Sequence, residues 1–420
     1  MAEDPRGRLW ASWSSGPDAH LGILEGRRWQ TVTRTGDQPW GAVLAFATTP
    51  DGGFLGCTEA GYVLDLTQGP AGIRAHAILA DEPLTAMAVD SASNWWLGTA
   101  RMGVLRITRM PAEWMQTRLP VRCRTVVTDT RGETWVGSIG AGLLRITPTG
   151  LETVAGQGWP EPAWRFINTL LPTPEGVWIG SEHGLGLLRD SGVSPILKLT
   201  PPFANRSVLA LDMDASGTLW IGDSGGGLHR LHPGSASPTL VASRPGSSVS
   251  GLLARDQIWL ATEAGLLTWN GSDLRPHAML PPDPGPTRCL MQDRQGRILA
   301  SFPELGLAVF QSNRVTLLSP GRGLLVPPIH QMVEDLEGNL WLGTANGIAR
   351  LARTNLDHAL RDPSTQIHAS LLTETAGLPS TVCTTGDLRG AARLPDGRLA
   401  FPTADGLLLI APDSLPPRPP

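Results

Sequence analysis

Lysine is almost absent: Lys198 is the only one among 34 basic residues in a chain of 420. Schiff-base chemistry and P-loop phosphate binding both need a lysine, so each has at most one candidate. Tyrosine occurs once, as Tyr62, and phenylalanine seven times. The four cysteines, Cys57, Cys123, Cys289 and Cys383, include no close-spaced pair. That spacing removes zinc-ribbon and thioredoxin-type readings; isolated cysteines read as packed strand residues and neither require nor exclude an oxidising compartment. Positive charge is also missing, since the formal net charge is −4, so nucleic acid is not an expected partner. No apolar run approaches the ~18 residues of a membrane span. The opening residues, Met1 to Trp10, lack the basic-then-apolar order of a signal peptide.

Against these absences stand 15 tryptophans, 49 glycines and 37 prolines, and they recur in a pattern. The stretch from Met332 to Arg350 reads as two strands joined by a tight turn, then a second turn into a third strand. Asp335 and Gly338 supply the first turn, Gly343-Thr344 and Gly347 the second, and Trp341 lies on the strand between. Asp214-Gly217-Trp220 and Asp129-Gly132-Trp135 repeat the unit closely. Weaker copies centre on Trp10, Phe54, Trp96, Trp178, Trp259, Leu299 and Ala400. Successive centres lie 39 to 44 residues apart, until a last step of 59. A period of about 40 residues with three or four short strands each predicts an all-β fold, a β-propeller of about ten blade repeats.

The chain organises as follows. Asp4-x-x-Gly7-x-x-Trp10 is in register with the unit, so the first blade is expected to lack its leading strand, completed from the far C-terminus or lost in a fragment. Counting back seven copies from Ala400 reaches Trp135, which predicts a C-terminal seven-bladed ring over 121–412. Residues 1–120 then form blades of a second, truncated ring, and the proline-rich 413–420 a linker. After Arg353 the spacing breaks, with a helical turn expected near 355–360 and a strand over 367–373.

The unit is similar to the two-component regulator propeller repeat: a turn Asp and Gly, a Leu-Trp-[Ile/Leu]-Gly-Thr strand, then Gly-Leu. The segments Thr375 to Ser380, Asp396 to Thr403, Asp405 to Leu407 and Ile410 to Pro412 resemble the final sensor blade of that family. The resemblance covers nearly the whole chain, although the family carries about fourteen repeats and this chain ten. It implies the periplasmic sensor portion of an inner-membrane receptor. There the propeller precedes a small β-sandwich, a membrane span and a histidine kinase or diguanylate cyclase output. None of these lies in this sequence. It further implies a homodimer, a downstream signalling domain as partner, and a small molecule or oligosaccharide as ligand.

Propellers bind ligands at the mouth of the central channel. Arg124, Arg288 and His330 each stand five residues ahead of a turn Asp (Asp129, Asp293, Asp335). At a channel edge they would converge on an anionic or sugar-like ligand, although junction residues of this kind also simply meet water. Trp164, beside Arg165, sits in an equivalent entry loop, where it either stacks on a sugar ring or packs between blades. The repeated aspartates read as turn caps and the tryptophans as core. His229 and His232 fall on opposite faces of one strand, so no metal site is expected. No catalytic residues and no cofactor are expected either, since no nucleophile–base pair assembles by spacing.

Three functions compete: a non-catalytic ligand sensor acting on a downstream module, a propeller hydrolase or lyase acting on a saccharide, and a protein-interaction platform. The sialidase form of the second needs a tyrosine nucleophile, and Tyr62 holds an ordinary strand position. The third rests on architecture alone, as WD40 signatures are missing.

Overall fold

A computed structural model describes residues 1–412 except 16–17, 32–39, 70–72, 79–81, 92–93, 108–111, 116–120, 155–164, 183, 190–191, 199–205, 313, 325–327, 373–382 and 384–389. The expected linker 413–420 and the Thr375–Ser380 match lie outside the described residues. Ten antiparallel sheets follow one another along the chain, nine of four strands and one of three. The chain divides into two compact units, with the boundary between residues 110 and 111.

The unit Asp–Gly–Trp is built on one carboxylate. In the hairpin of Ile329–Glu334 and Leu340–Thr344, Asp335 Oδ1 accepts the backbone N–H groups of Glu337 and Asn339 at 3.0 and 2.8 Å. Its Oδ2 accepts the indole N–H of Trp341 at 2.8 Å. Gly338 takes φ +85°, a left-handed position that a side chain would strain. The same indole bond recurs from Trp10 to Asp4, Trp96 to Asp90, Trp135 to Asp129 and Trp220 to Asp214, at 2.8 to 3.0 Å. Burial alone would raise the pKa of Asp4, Asp129 and Asp214; hydrogen bonds from indole and turn N–H groups outweigh it and hold them below the usual carboxylate range.

Where the sequence departs, the bond is replaced or lost. Asp293 has Leu299 in place of Trp, and its Oδ2 accepts Arg297 Nε at 2.5 Å instead. The blade of Trp178 has a turn shortened to Thr173–Gly176 without an Asp, and the Trp178 indole nitrogen is buried with no hydrogen-bond partner among the described residues. Trp259 stacks on His277 with centroids 4.7 Å apart.

Trp135 and Trp178 face the next blade. Trp135 packs with Ile167, Leu170 and Ile179, and Trp178 with Val208, Leu211 and Ile221. The glycine two residues after Trp serves the same joint: a Cβ on Gly137 would lie 2.6 Å from Ile167 Cγ2, and on Gly180 2.7 Å from Val208 Cγ1. This glycine therefore admits a β-branched side chain of the following blade. Burial of one such Trp amounts to about 5 kcal/mol as an upper bound.

The C-terminal unit, residues 111–415, holds seven four-stranded sheets whose innermost strands contact one another in sequence and back to the first. The seventh sheet joins Ala392–Arg393, Leu399–Pro402 and Leu407–Ile410 to Ala112–Met115, which runs antiparallel on Leu407–Ile410. The Cys123 N–H donates to the Thr403 carbonyl at 3.1 Å across the same joint. Residues 112–115 thus belong with the C-terminal ring, which moves the expected boundary at 120/121 upstream. In the sixth blade the helix Arg353–Arg361 enters between Gly347–Leu351 and Ala369–Leu372, which accounts for the long last step of the repeat. Leu356 and Ala359 bury its inner side.

The N-terminal unit holds three sheets. The first has four strands within residues 2–31, with Ala2–Glu3 paired on Trp10 and Leu9; two residues of the leading strand expected to be missing are present. The second spans Val43–Ala77 and the third Leu84–Ile107.

Asp335→Asn sets an amide NH2 against either the Trp341 indole N–H or the turn N–H groups and should lower stability by about 1–3 kcal/mol. Asp396→Asn, at an exposed turn, should stay within about 0.5 kcal/mol. Urea midpoints at unchanged m distinguish the two. Gly137→Ala should cost about 1–3 kcal/mol, and Ile167→Ala in the same chain should recover part of it; strict additivity in the double-mutant cycle would refute the packing account.

Candidate functional site

The inner strands of the C-terminal ring share an irregularity at their starts. Pairing slips by one residue between Cys123 and Thr125, Ile167 and Thr169, Val208 and Ala210, Val249 and Gly251, and Ile329 and Gln331. Each slip is a β-bulge, which bends the strand and re-aims the extra side chain. The bulged residues are Arg124, Asn168, Leu209, Ser250 and His330. Arg288 holds the same offset in the fifth blade, with its N–H on the Ser301 carbonyl at 2.9 Å. The five-residue offset read from the sequence is thus, in five of the seven blades, the repeat position of this slip at the entrance to the inner strand.

Arg288 and His330 stand at equivalent positions of neighbouring blades, and the guanidinium charge of Arg288 acts on the imidazole as the smallest of its influences. Burial, with Arg288 adding to it, pushes the His330 pKa below its ordinary value, against a smaller opposing effect of the Cys383 carbonyl. His330 Nδ1 lies 3.4 Å from that carbonyl. A carbonyl only accepts, so Nδ1 carries the proton and Nε2 is left as an acceptor. Arg288 Nη1 is 3.5 Å from Glu263 Oε1, and the Arg288 side chain is 38% exposed. The two blades present a half-exposed guanidinium, paired with Glu263, and a neutral imidazole at the same repeat position. That combination suits a ligand carrying both an anionic or acceptor group and a hydroxyl donor.

Arg124 is turned elsewhere. Its Nη1 donates to Asn168 Oδ1 at 2.7 Å, and Asn168 Nδ2 donates to the Val208 carbonyl at 3.0 Å. The chain of bonds spans three blades. Arg124 Nε is buried with no hydrogen-bond partner among the described residues. Arg165 is exposed, and its carbonyl accepts the N–H groups of Gly140 and Gly142 at 2.7 and 3.2 Å. Trp164 lies outside the described residues.

Asn168 escaped the sequence reading because its blade lacks the turn Asp from which the offset is counted. A second feature was also missed. Asp223 replaces the Ser or Thr that caps the second turn in neighbouring blades, and accepts the N–H groups of Gly225 and Gly227 at 2.7 and 2.8 Å. Its Oδ2 lies 2.8 Å from His229 Nε2 and 3.4 Å from Arg206 Nη1. His229 and Asp223 are fully buried, and His232 bonds Thr218 at 3.2 Å. Among the described residues no three His, Cys, Asp or Glu side chains group as metal ligands. A cleft of about 790 Å³ lies at the seam of the seventh and first blades, lined in part by Met115, Glu133, Arg145, Leu394 and Arg398; none of the candidate site residues borders it.

No protein-family model and no curated protein sequence matches the chain. Solved structures do match. The extracellular domain of the hybrid two component system BT3049 from B. thetaiotaomicron superposes with TM-score 0.71 at 16% identity, over 98% of this chain and 56% of that one. The corresponding domain of BT4673 from the same organism gives 0.57 at 15%, over 97% and 57%. A virginiamycin B lyase from Staphylococcus aureus, with quinupristin, gives 0.52 at 13%, over 71% of this chain and 98% of the lyase. At these identities the likeness is one of fold. The chain is a β-propeller protein with the fold of extracellular domains of hybrid two-component systems, and it spans little more than half the length of those domains.

Proposed function

We propose that the chain is the ligand-receiving part of a signalling receptor, facing the periplasm, and that its C-terminal ring takes a small anionic or saccharide ligand without turning it over. The observation that carries this reading is the placing of Arg288 and His330 at the same repeat position, at the entrance to the inner strands of neighbouring blades. The fold shared with receptor extracellular domains supports it. No helix among the described residues is long and apolar enough to cross a membrane, so the span and the kinase or cyclase output would belong to other sequence. The bulge layer is stitched across blades, from Arg124 to Asn168 to Val208 and from His330 to Cys383. A ligand drawing on Arg288 and His330 would bear on the packing of the sixth and seventh blades, the last before the C-terminal segment. It signals only if it binds one packing better than another. A dimer would bring two such segments together. Propeller lyases share the fold over one ring, and turnover of the ligand is what separates that reading.

Thermal-shift screening against oligosaccharides and small anions should find a stabilising ligand. Arg288→Ala and His330→Ala should each weaken it tenfold or more, about 1.4 kcal/mol, while Arg124→Ala, tied to Asn168, should weaken it less. Absence of any shift, or a shift indifferent to Arg288 and His330, would refute the site; recovery of a chemically altered ligand would make the protein an enzyme.

The pH dependence has a definite sign. With its folded pKa depressed, His330 is protonated later in the folded chain than in the unfolded one. The unfolded state then binds more protons, so stability falls as pH drops below about 6.5. His277, likewise lowered by burial, contributes in the same direction. His330→Gln should therefore flatten, not abolish, the acid limb of a urea-midpoint profile. In the same window a neutral saccharide should lose affinity with the Nε2 acceptor, whereas an anion should gain it.

A further inference from the structure

At most seams of the C-terminal ring a tryptophan fills the space between blades, and it lies on a fixed place in the blade that follows. That place is the residue before the follower's own Trp position, together with its cross-strand partner. Trp135 packs with Val177 and Leu188, Trp178 with Leu219 and Leu231, and Trp259 with Ile298 and Phe310. Trp220 packs with Ile258 in the same manner, and Trp341 is fully buried at the equivalent position. Two blades lack the tryptophan: Leu299 holds its place in the fifth and Ala400 in the seventh.

Between the fifth and sixth blades the helix Arg353–Arg361 supplies what is missing. Leu356 and Ala359 share a core cluster with Leu299, Leu340 and Leu351. Arg297 Nη1 donates to Asp357 Oδ1 at 2.9 Å, and the Arg353 N–H to Asn339 Oδ1 at 3.1 Å. A Cβ on Gly338 would lie 2.8 Å from Arg353 Cδ. Between the seventh and first blades the matching connection, Thr147 to Gly150, is a tight turn, and the cleft of about 790 Å³ lies there instead. Its lining holds the counterparts of the groups the helix touches: Arg398 for Arg297, Gly132 for Gly338, Glu133 for Asn339, Thr134 for Leu340 and Ile146 for Leu351. The turns agree bond for bond. The Leu394 N–H donates to the Arg398 carbonyl as Asp293 does to Arg297, and Asp129 donates to Glu133 as Asp335 does to Asn339.

We propose that this cleft is a docking site for an amphipathic helix of another polypeptide, seated as Arg353–Arg361 is seated against the fifth blade. The internal counterpart defines the occupant: two apolar side chains one turn apart, in the places of Leu356 and Ala359, and a carboxylate between them to meet Arg398. Arg297 shows that one guanidinium serves both needs, since it holds the turn Asp293 while it takes Asp357; Arg398 holds Asp396 at 2.7 Å in the same way. Glu133, in the place of Asn339, sets a carboxylate where the first N–H groups of the helix arrive, which suits the positive end of the helix dipole. Among the described residues Arg353–Arg361 is the one α-helix, and it is already engaged. A second copy of the chain therefore offers no donor, which favours a different partner. The cleft lies at the turn end of the inner strands, opposite the bulges, so docking there leaves Arg288 and His330 to the ligand.

Fluorescence anisotropy on the whole chain tests this, with a labelled peptide of the sequence of residues 352–362 (Ala-Arg-Thr-Asn-Leu-Asp-His-Ala-Leu-Arg-Asp) as probe. So short a helix is marginal in water, so the peptide is stapled between the positions of Thr354 and His358, which are exposed in the protein. It should bind saturably below about 1 mM, a concentration that populates even weak complexes. Ile146→Arg, which puts a charge on the cleft wall, should weaken binding tenfold or more with the melting of the ring unaltered. Arg398→Glu should do the same, and a peptide carrying Asp357→Arg should recover most of that loss on Arg398→Glu while binding the natural chain poorly. No binding at 1 mM would overturn the proposal, as would binding indifferent to Ile146→Arg or a charge swap that recovers nothing. Self-association of the chain that Ile146→Arg abolishes would also overturn it and assign the cleft to a second copy.

Discussion

A carboxylate with two duties holds the blades in shape. One oxygen of the turn Asp gathers the N–H groups of its hairpin, and the other takes the indole of a tryptophan six residues on. The first duty sets the turn; the second fixes the plane of the largest side chain in the blade, which then packs on the next blade. Burying a carboxylate is costly unless its lone pairs are filled, and here three or four donors fill them. Local turn chemistry and long-range packing are thereby joined at one residue. The exceptions follow the same logic. Arg297 takes the spare oxygen of Asp293 where Trp is gone, and Trp178 keeps its place by packing alone where Asp is gone. Because each blade touches only its neighbours, such losses stay local.

The period, the turn residues and the core role of Trp were legible in the sequence because each depends on residues close together in the chain. The indole–carboxylate bond was not, since Asp and Trp lie on either side of a turn whose geometry had to be known. Gly137 and Gly180 share the repeat position of Gly343, which reads as turn chemistry; their reason is Ile167 or Val208, some thirty residues on in another blade. The domain boundary was misplaced for a related cause: Ala112–Met115 pairs with residues near the other end of the unit, and no local pattern announces that.

Candidate site residues divide the same way. The offset shared by Arg124, Arg288 and His330 is a property of the repeat, and it located the bulge. What each side chain meets there depends on the neighbouring blade. Arg288 meets Glu263, while Arg124 meets Asn168, which offset counting passed over because its turn lacks the Asp. Position was encoded locally, and partnership was not.

The strand Ala112–Met115 sets a condition on how the C-terminal ring can form. Its partner, Leu407–Ile410, is made roughly 300 residues later. At a synthesis rate of about 5–20 residues per second, the wait is on the order of 15–60 s. Until then the seventh blade does not exist, and the first blade has one bare face. Contacts so distant in sequence also slow the search for the ring itself. The nascent chain thus passes through an open arc of blades with its opening strand unpaired, and closure waits for Leu407–Ile410.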